Sequence, residues 1–195
     1  LTVTYVATIY LISLSTERPK PRRTNMGKTG RAVVYDAPNM PFQVREFPVR
    51  NVHPDEVLVR ITMSTICRSD IHSYLGHRPN PCPSILGHEI IGKIEQLGTE
   101  VRNDLRGDPL SLGDRVTWTE YFYSGQSYYR DIHDMPQKSL GVRKYGHDLV
   151  ENDPHFLGGF AEYCYILPGT SILKLPDTIT DEEATPLNCG VATMV

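Results

Sequence analysis

Two cysteines, one histidine and an adjacent glutamate give this 195-residue sequence its most chemically suggestive set: Cys67, His88, Glu89 and Cys189. Zinc takes thiolate and imidazole ligands, and a catalytic zinc site uses three protein ligands with a fourth position left for water or substrate. Cys67, His88 and Cys189 have the right chemistry for the three, and Glu89 could occupy or vacate the fourth position. Spacings of 21 and then 101 residues fit no local zinc-finger rule. A plainer reading therefore stands beside the metal one, with the cysteines as small buried apolar residues and His88 as a hydrogen-bonded turn histidine. Cys82, between two prolines, and Cys164, in a strand-like run, read as unligated thiols. His53, His77, His133, His147 and His155 sit beside prolines, glycines or charges and read as loop residues.

These candidates must be positioned by β-structure. Short runs rich in β-branched and aromatic residues occur at Arg31–Asp36, Phe42–Phe47, Glu56–Thr62, Glu89–Leu97, Asp114–Trp118, Phe160–Leu167 and Ser171–Leu175, separated by Gly, Pro and Asn clusters. The pattern predicts a mainly β, predominantly antiparallel barrel or sandwich. Two helical pieces interrupt it. One runs from about Arg68 to Leu75 and stops at Gly76; the other begins near Thr180, where Thr180 and Glu183 have capping-box spacing. Gly92 and Gly98 suit close backbone approach or turns. No Gly-x-Gly-x-x-Gly phosphate loop occurs.

Composition narrows the partners. With 39% hydrophobic and 22% charged residues and a net charge of −3, the chain has the make-up of an ordinary globular protein with no general pull toward nucleic acid. Four scattered cysteines are too few for a disulfide scaffold and point to reduced thiols in a cytoplasmic compartment. The uncharged run Leu1–Thr16 is shorter than the ~20 residues that span a bilayer, and the basic stretch Arg18–Arg23 lies on the wrong side of it for a signal peptide. Residues 1–25 are expected to lie outside the functional body, as an upstream extension before Met26, a loose arm or a signal anchor. Without their four basic residues and one acid, the net charge falls to −6.

Cys67-Arg68-Ser69-Asp70-Ile71-His72, Gly87-His88-Glu89, Gly158-Gly159-Phe160-Ala161-Glu162-Tyr163 and Asn188-Cys189-Gly190 together, in this order and spacing, resemble the zinc-dependent medium-chain alcohol dehydrogenases. The resemblance extends from about Gly30 to Val195. Gly113-Asp114-Arg115-Val116, Trp118, Lys144-Tyr145-Gly146-His147 and Pro168-Gly169-Thr170 are similar to the phosphonate-catabolism-associated subgroup. The resemblance implies a GroES-like β-barrel over residues 26–179, with residues 180–195 starting a linking helix to a Rossmann domain. It implies Zn²⁺ on Cys67, His88 and Cys189 with Glu89 exchangeable, and NAD or NADP in the full-length protein. The ion would act as a Lewis acid on a small-molecule alcohol or aldehyde, with hydride passing to nicotinamide. Ser69 matches the hydroxyl that takes the alcohol proton, His72 the group that passes it toward solvent, and Asp70 the acid that orients the zinc-ligating histidine. Arg68 matches a pyrophosphate partner and Thr193 a nicotinamide contact, each against a plain surface reading. No nucleic acid or membrane partner is implied, and a homo-oligomer is expected at full length.

One departure concerns a second, structural zinc lobe that many members build from four cysteines. Here Ser124–Arg130 and Pro136–Ser139 contain none. Serine hydroxyls ligate zinc poorly near neutral pH, so this lobe is expected to hold no metal and to be packed by Tyr121, Tyr123, Tyr128 and Tyr129. The other departure is the lack of a cofactor domain, which makes the chain read as a fragment. Two alternatives therefore remain open: a non-catalytic zinc- or protein-binding barrel remnant, and a zinc-free reductase of the same superfamily.

Overall fold

A computed structural model describes residues 27–195 apart from Ser124; the expected extension over residues 1–25 lies outside the described residues. The chain forms β1 (Thr29–Tyr35), β2 (Gln43–Pro48), β3 (Val57–Thr65), α1 (Arg68–Tyr74), β4 (Ser84–Ile85), β5 (Glu89–Leu97), β6 (Arg115–Trp118), β7 (Tyr121–Tyr123), α2 (Tyr128–His133), β8 (Val142–Lys144), β9 (Tyr163–Ile166), β10 (Ile172–Lys174) and α3 (Asp181–Ala184). Turns of 3-10 helix follow α2 at Pro136–Lys138 and α3 at Thr185–Asn188. No helix among the described residues is long and apolar enough to cross a membrane.

Every strand pairing is antiparallel. A five-stranded sheet runs β10-β6-β5-β3-β9, a three-stranded sheet β2-β1-β4, and β7 pairs with β8. Phe160–Glu162 stitches the larger two together: Val33 N donates to Phe160 O at 2.8 Å, Glu162 N to Arg31 O at 2.9 Å, and Ile61 N to Glu162 O at 3.0 Å. Sharing one segment between two sheets ties them into one barrel. The expected mainly β, GroES-like barrel with short helices is the architecture found.

Buried positions alternate along most of β1, whereas β3 begins with three buried residues in a row and β9 is buried throughout. Val34, Leu58, Val59, Ile90, Trp118 and Phe156 are all buried in one cluster. Gly92 in β5 allows the sheet to close, because a Cβ there would stand 2.2 Å from Val59 Cγ1 and 2.4 Å from Arg60 O. Gly98 is needed for the same close approach, against Pro54 O at 2.3 Å.

Two differences from the sequence pattern have local causes. The expected linking helix is only four residues of α-helix, capped by Thr180 Oγ1 accepting from Glu183 N at 3.3 Å. Pro186 lacks an N–H, the chain tightens into a 3-10 turn at Thr185–Asn188, and Cys189 takes non-helical angles. The second difference is the lobe. Tyr128 and Tyr129 are 64% and 42% exposed, so they stack edge to face on the surface and do not fill an interior. Asp131 organises the start of α2, accepting from Ser127 N at 2.9 Å and from Arg130 Nε at 2.7 Å.

Asp104 fastens the loop between β5 and β6. One carboxylate oxygen accepts from Arg106 N at 2.8 Å and Asp108 N at 2.9 Å, and the other from Lys174 N at 3.1 Å. Burial opposes ionisation, but these three amides outweigh it and hold the carboxyl below its usual value. A lowered carboxylate stabilises the fold above the unfolded pKa of about 4 and loses that contribution as pH falls through the lower folded value. Asp104→Ala is expected to cost roughly 2–3 kcal/mol by leaving amides unpaired. Urea unfolding at a series of pH values should show wild type losing more stability than Asp104→Asn below about pH 4.

Candidate metal centre

The β3–β5 ladder sets the first half of the site. Its last register pair is Thr65 with Glu89, so Cys67, two residues beyond the end of β3, and His88, one residue before β5, leave the sheet at the same point. Cys67 is the N-cap of α1. Asp70 closes that cap, its Oδ2 accepting from Cys67 N at 2.9 Å, while its Oδ1 accepts from Gly87 N at 3.2 Å and lies 3.5 Å from His88 Nδ1. One buried carboxylate thus fixes both ligand-bearing turns. Gly87 takes φ +88°, and a Cβ there would stand 2.8 Å from the Phe160 ring.

Cys189 arrives from far along the chain and is held on both sides. Asn188 Nδ2 donates to His88 O at 2.8 Å and to Trp118 O at 2.9 Å. Gly190 N donates to Glu89 Oε1 at 3.2 Å, and the other Glu89 oxygen accepts from Thr65 Oγ1 at 2.5 Å. The result is a compact donor set: Cys67, His88 and Cys189 offer ligand atoms all within 4.8 Å of one another, and the two sulfurs are 4.0 Å apart. A tetrahedral zinc with Zn–S bonds of about 2.3 Å requires its sulfurs about 3.8 Å apart, so the set fits the ion.

The electrostatics fit it too. Burial works against a charged His88, but Asp70 and the two cysteine sulfurs outweigh it and push the imidazole up to about 12. The hydrogen bond from His88 lowers the Cys67 thiol to about 7. The same histidine pulls Cys189 downward, yet burial, the Glu120 charge and the Cys67 thiol win, and Cys189 is pushed up. The pocket as folded favours a positive charge between two sulfurs. With Asp70 on Nδ1, Nε2 is the nitrogen turned to the donor set, where a metal would replace its proton.

The remaining expected residues divide. Ser69 reaches the centre, its Oγ 3.4 Å from His88 Nε2. His72, one turn along α1, is half-buried, and its Nε2 accepts from Arg68 Nε at 3.4 Å. Thr193 is exposed and donates to Cys189 O at 2.7 Å, closing the turn that follows Cys189. Glu89 is buried but stands outside the three-residue donor group, with its oxygens on Thr65 and Gly190. Cys82 and Cys164 are free thiols. His147 lies in the loop after β8, as expected; its ring centroid is 6.2 Å from that of His88 and tilted to it, and burial lowers it to about 4, so it is neutral.

Glu120 was not among the sequence candidates. Its Oε1 lies 3.4 Å from His88 Nε2, and its carboxylate forms an ion pair with Lys144, both side chains 11% exposed. The signal was slight: an acid two residues beyond β6, the strand that pairs with β5. A separate apolar cavity of about 310 Å³ beside α1 is lined by Phe42, Met63, Ile71 and Phe160 among others, and none of the three donor residues borders it.

The model for the alcohol dehydrogenase GroES-like domain matches residues 53–177. Alcohol dehydrogenase of Geobacillus stearothermophilus is 33% identical over 166 residues, which is 84% of this chain and 45% of that protein. Among solved structures, an alcohol dehydrogenase from Thermotoga maritima superposes with TM-score 0.79 at 27% identity, covering 86% of this chain and 46% of the other. An alcohol dehydrogenase from E. coli CFT073, complexed with NADH, superposes with TM-score 0.66 at 26% identity, covering 83% and 42%. The chain spans less than half the length of these relatives.

Asn188→Ala is expected to release Cys189 from the sheet and weaken zinc binding on the order of 10-fold with the barrel intact. Competition with a chromophoric chelator, with circular dichroism alongside, measures both.

Proposed function

The chain belongs to the alcohol dehydrogenase GroES-like domain family, and on that premise we propose that it is the zinc-holding catalytic portion of a nicotinamide-dependent alcohol dehydrogenase. The observation that carries this reading is the convergence of Cys67, His88 and Cys189 within 4.8 Å, from residues 122 positions apart at the extremes. A zinc-free reductase has no need of such a set.

When bound, the ion supplies Lewis acidity toward an alcohol or carbonyl oxygen. The protein's own groups do the rest. Asp70 keeps His88 in the tautomer whose Nε2 lone pair faces the donor set. Glu89, through Gly190 N–H, holds Cys189 in place; the exchangeable role that the sequence suggests for it requires it to leave Thr65 and Gly190. Ser69, already beside Nε2, would take up the substrate's hydroxyl proton while giving up its own toward His72, and a bound nicotinamide would supply the acceptor for the hydride from the carbinol carbon. His72 then carries the proton outward. In the structure, Arg68 occupies the acceptor nitrogen of His72. If Arg68 turns to a cofactor pyrophosphate, that nitrogen is freed, so cofactor binding and proton release are linked through one guanidinium. Thr193, exposed on the turn after Cys189, is the residue we assign to the nicotinamide side. A nicotinamide-binding half, the use of NAD or NADP, an alcohol or aldehyde substrate and a homo-oligomeric state at full length are proposed for this protein from its family membership.

Elemental analysis of purified protein should give about one zinc per chain, the cysteine-free lobe taking none; two per chain would contradict the lobe assignment. Cys67→Ala should lose the zinc and all turnover. In a polypeptide that also carries a nicotinamide-binding domain, His72→Ala should keep the zinc and slow alcohol oxidation about 10- to 100-fold. Wild-type turnover in the Cys67 variant would refute the site.

A further inference from the structure

Building on the zinc reading, we infer that the buried Glu120–Lys144 ion pair beside His88 selects the substrate, favouring an alcohol with a second hydroxyl on the adjacent carbon. Position comes first. Glu120 Oε1, the oxygen paired with Lys144 Nζ, lies 3.4 Å from His88 Nε2, the nitrogen turned toward the two sulfurs. Whatever enters the open position of the donor set stands beside that nitrogen, and therefore beside the pair. Both side chains are only 11% exposed, so this wall of the site is charged yet largely shielded from water.

The pair keeps hydrogen-bonding capacity after the two partners meet. Oε1 is committed to the lysine, whereas no hydrogen bond among the described residues ends on Oε2. An ammonium carries three N–H donors, and besides Glu120 the Lys144 ammonium meets the Tyr121 ring, 5.3 Å from its centre. An acceptor and donors thus stand side by side. A purely apolar substrate laid against them would strip their water and return no hydrogen bond, which is costly for buried charges.

Charge narrows the group that fits. A cationic substituent would be attracted by Glu120 and repelled by Lys144, an anionic one the reverse, and either would unbalance a buried neutral pair. A hydroxyl donates to Oε2 through its hydrogen and accepts from Lys144 through its oxygen, so it answers both partners at once. The short separation from Nε2 fixes where that hydroxyl must be: close to the reacting oxygen, hence on the neighbouring carbon. The substrate class is a vicinal diol, or the hydroxy-carbonyl compound that its oxidation gives.

Replacement of zinc by Co²⁺ gives two optical signals in the same 195-residue chain. Thiolate-to-cobalt charge transfer reports Cys67 and Cys189, and the visible d–d bands report a molecule entering the remaining position. Titrations with 1-propanol and with 1,2-propanediol, which differ by one hydroxyl, then compare affinities. Wild type should bind the diol about 10-fold more tightly. The double variant Glu120→Leu with Lys144→Met should lose that preference, and Lys144→Met alone should lose part of it. Equal affinities in wild type overturn the inference. So does a preference that survives intact in either variant, because the diol would then be gripping the metal through both oxygens without help from the wall. If wild type lacks the charge-transfer band, it is the zinc reading itself that fails. Circular dichroism separates lost recognition from unfolding, and Lys144→Met keeps the test decisive if the double variant does not fold.

Discussion

The Asn188 side-chain amide is the contact on which the site depends. Its two N–H groups donate to the carbonyls of His88 and Trp118, one at the start of β5 and the other at the end of β6. The neighbouring β-strands thereby dictate where Cys189 stands, although no strand contains it. An amide has two donors at a fixed angle, which suits two carbonyls that diverge from adjacent strands. Lysine could reach the same place only with a charge that would sit badly beside a cation. Without this junction, two donors would remain at the end of the β3–β5 ladder and the third would follow the short, proline-broken segment after α3.

The second organising constraint is that anionic groups around one imidazole are given unequal freedom. Asp70 is fixed by two backbone amides and lies 3.5 Å from His88 Nδ1. Glu89 is tied to a hydroxyl and an amide. Glu120 is held in a largely buried ion pair with Lys144. Backbone amides anchor the first two, whereas the third is anchored by another side chain. Neighbouring groups thus take different work from the rigidity of their partners, not from their type.

How far this could be read from the sequence follows the same division. Runs of β-branched and aromatic residues announced seven of the strands, whereas β4, β7 and β8 are too short to leave such a run, and the Cys67–His72 and Gly87–Glu89 segments led to the donor set through their order. The linking helix was overestimated: Thr180 and Glu183 announce a start, but Pro186 follows Glu183 by only three residues and converts the turn. Tyr128 and Tyr129 read as packing residues because large aromatics usually bury their surface, whereas α2 leaves them outward. Glu120 was invisible for a stronger reason. Its importance comes from a register, β5 beside β6, that places an ordinary Thr-Glu-Tyr stretch against His88 across 32 residues of chain.

That register also gives the centre its character. Cys67 and His88 are tied to the β3–β5 pairing, Glu120 and Lys144 to β6 and the β7–β8 hairpin, and Cys189 to the segment after α3. Donors on a ladder end share its rigidity, so the sulfur and nitrogen atoms stay at ligand spacing. The acid arrives on a short hairpin whose Tyr121–Lys144 register lies directly beside it. Phe122 of the same hairpin is buried in the main core cluster, so the packing that fills the barrel is also what brings Glu120 and Lys144 beside His88.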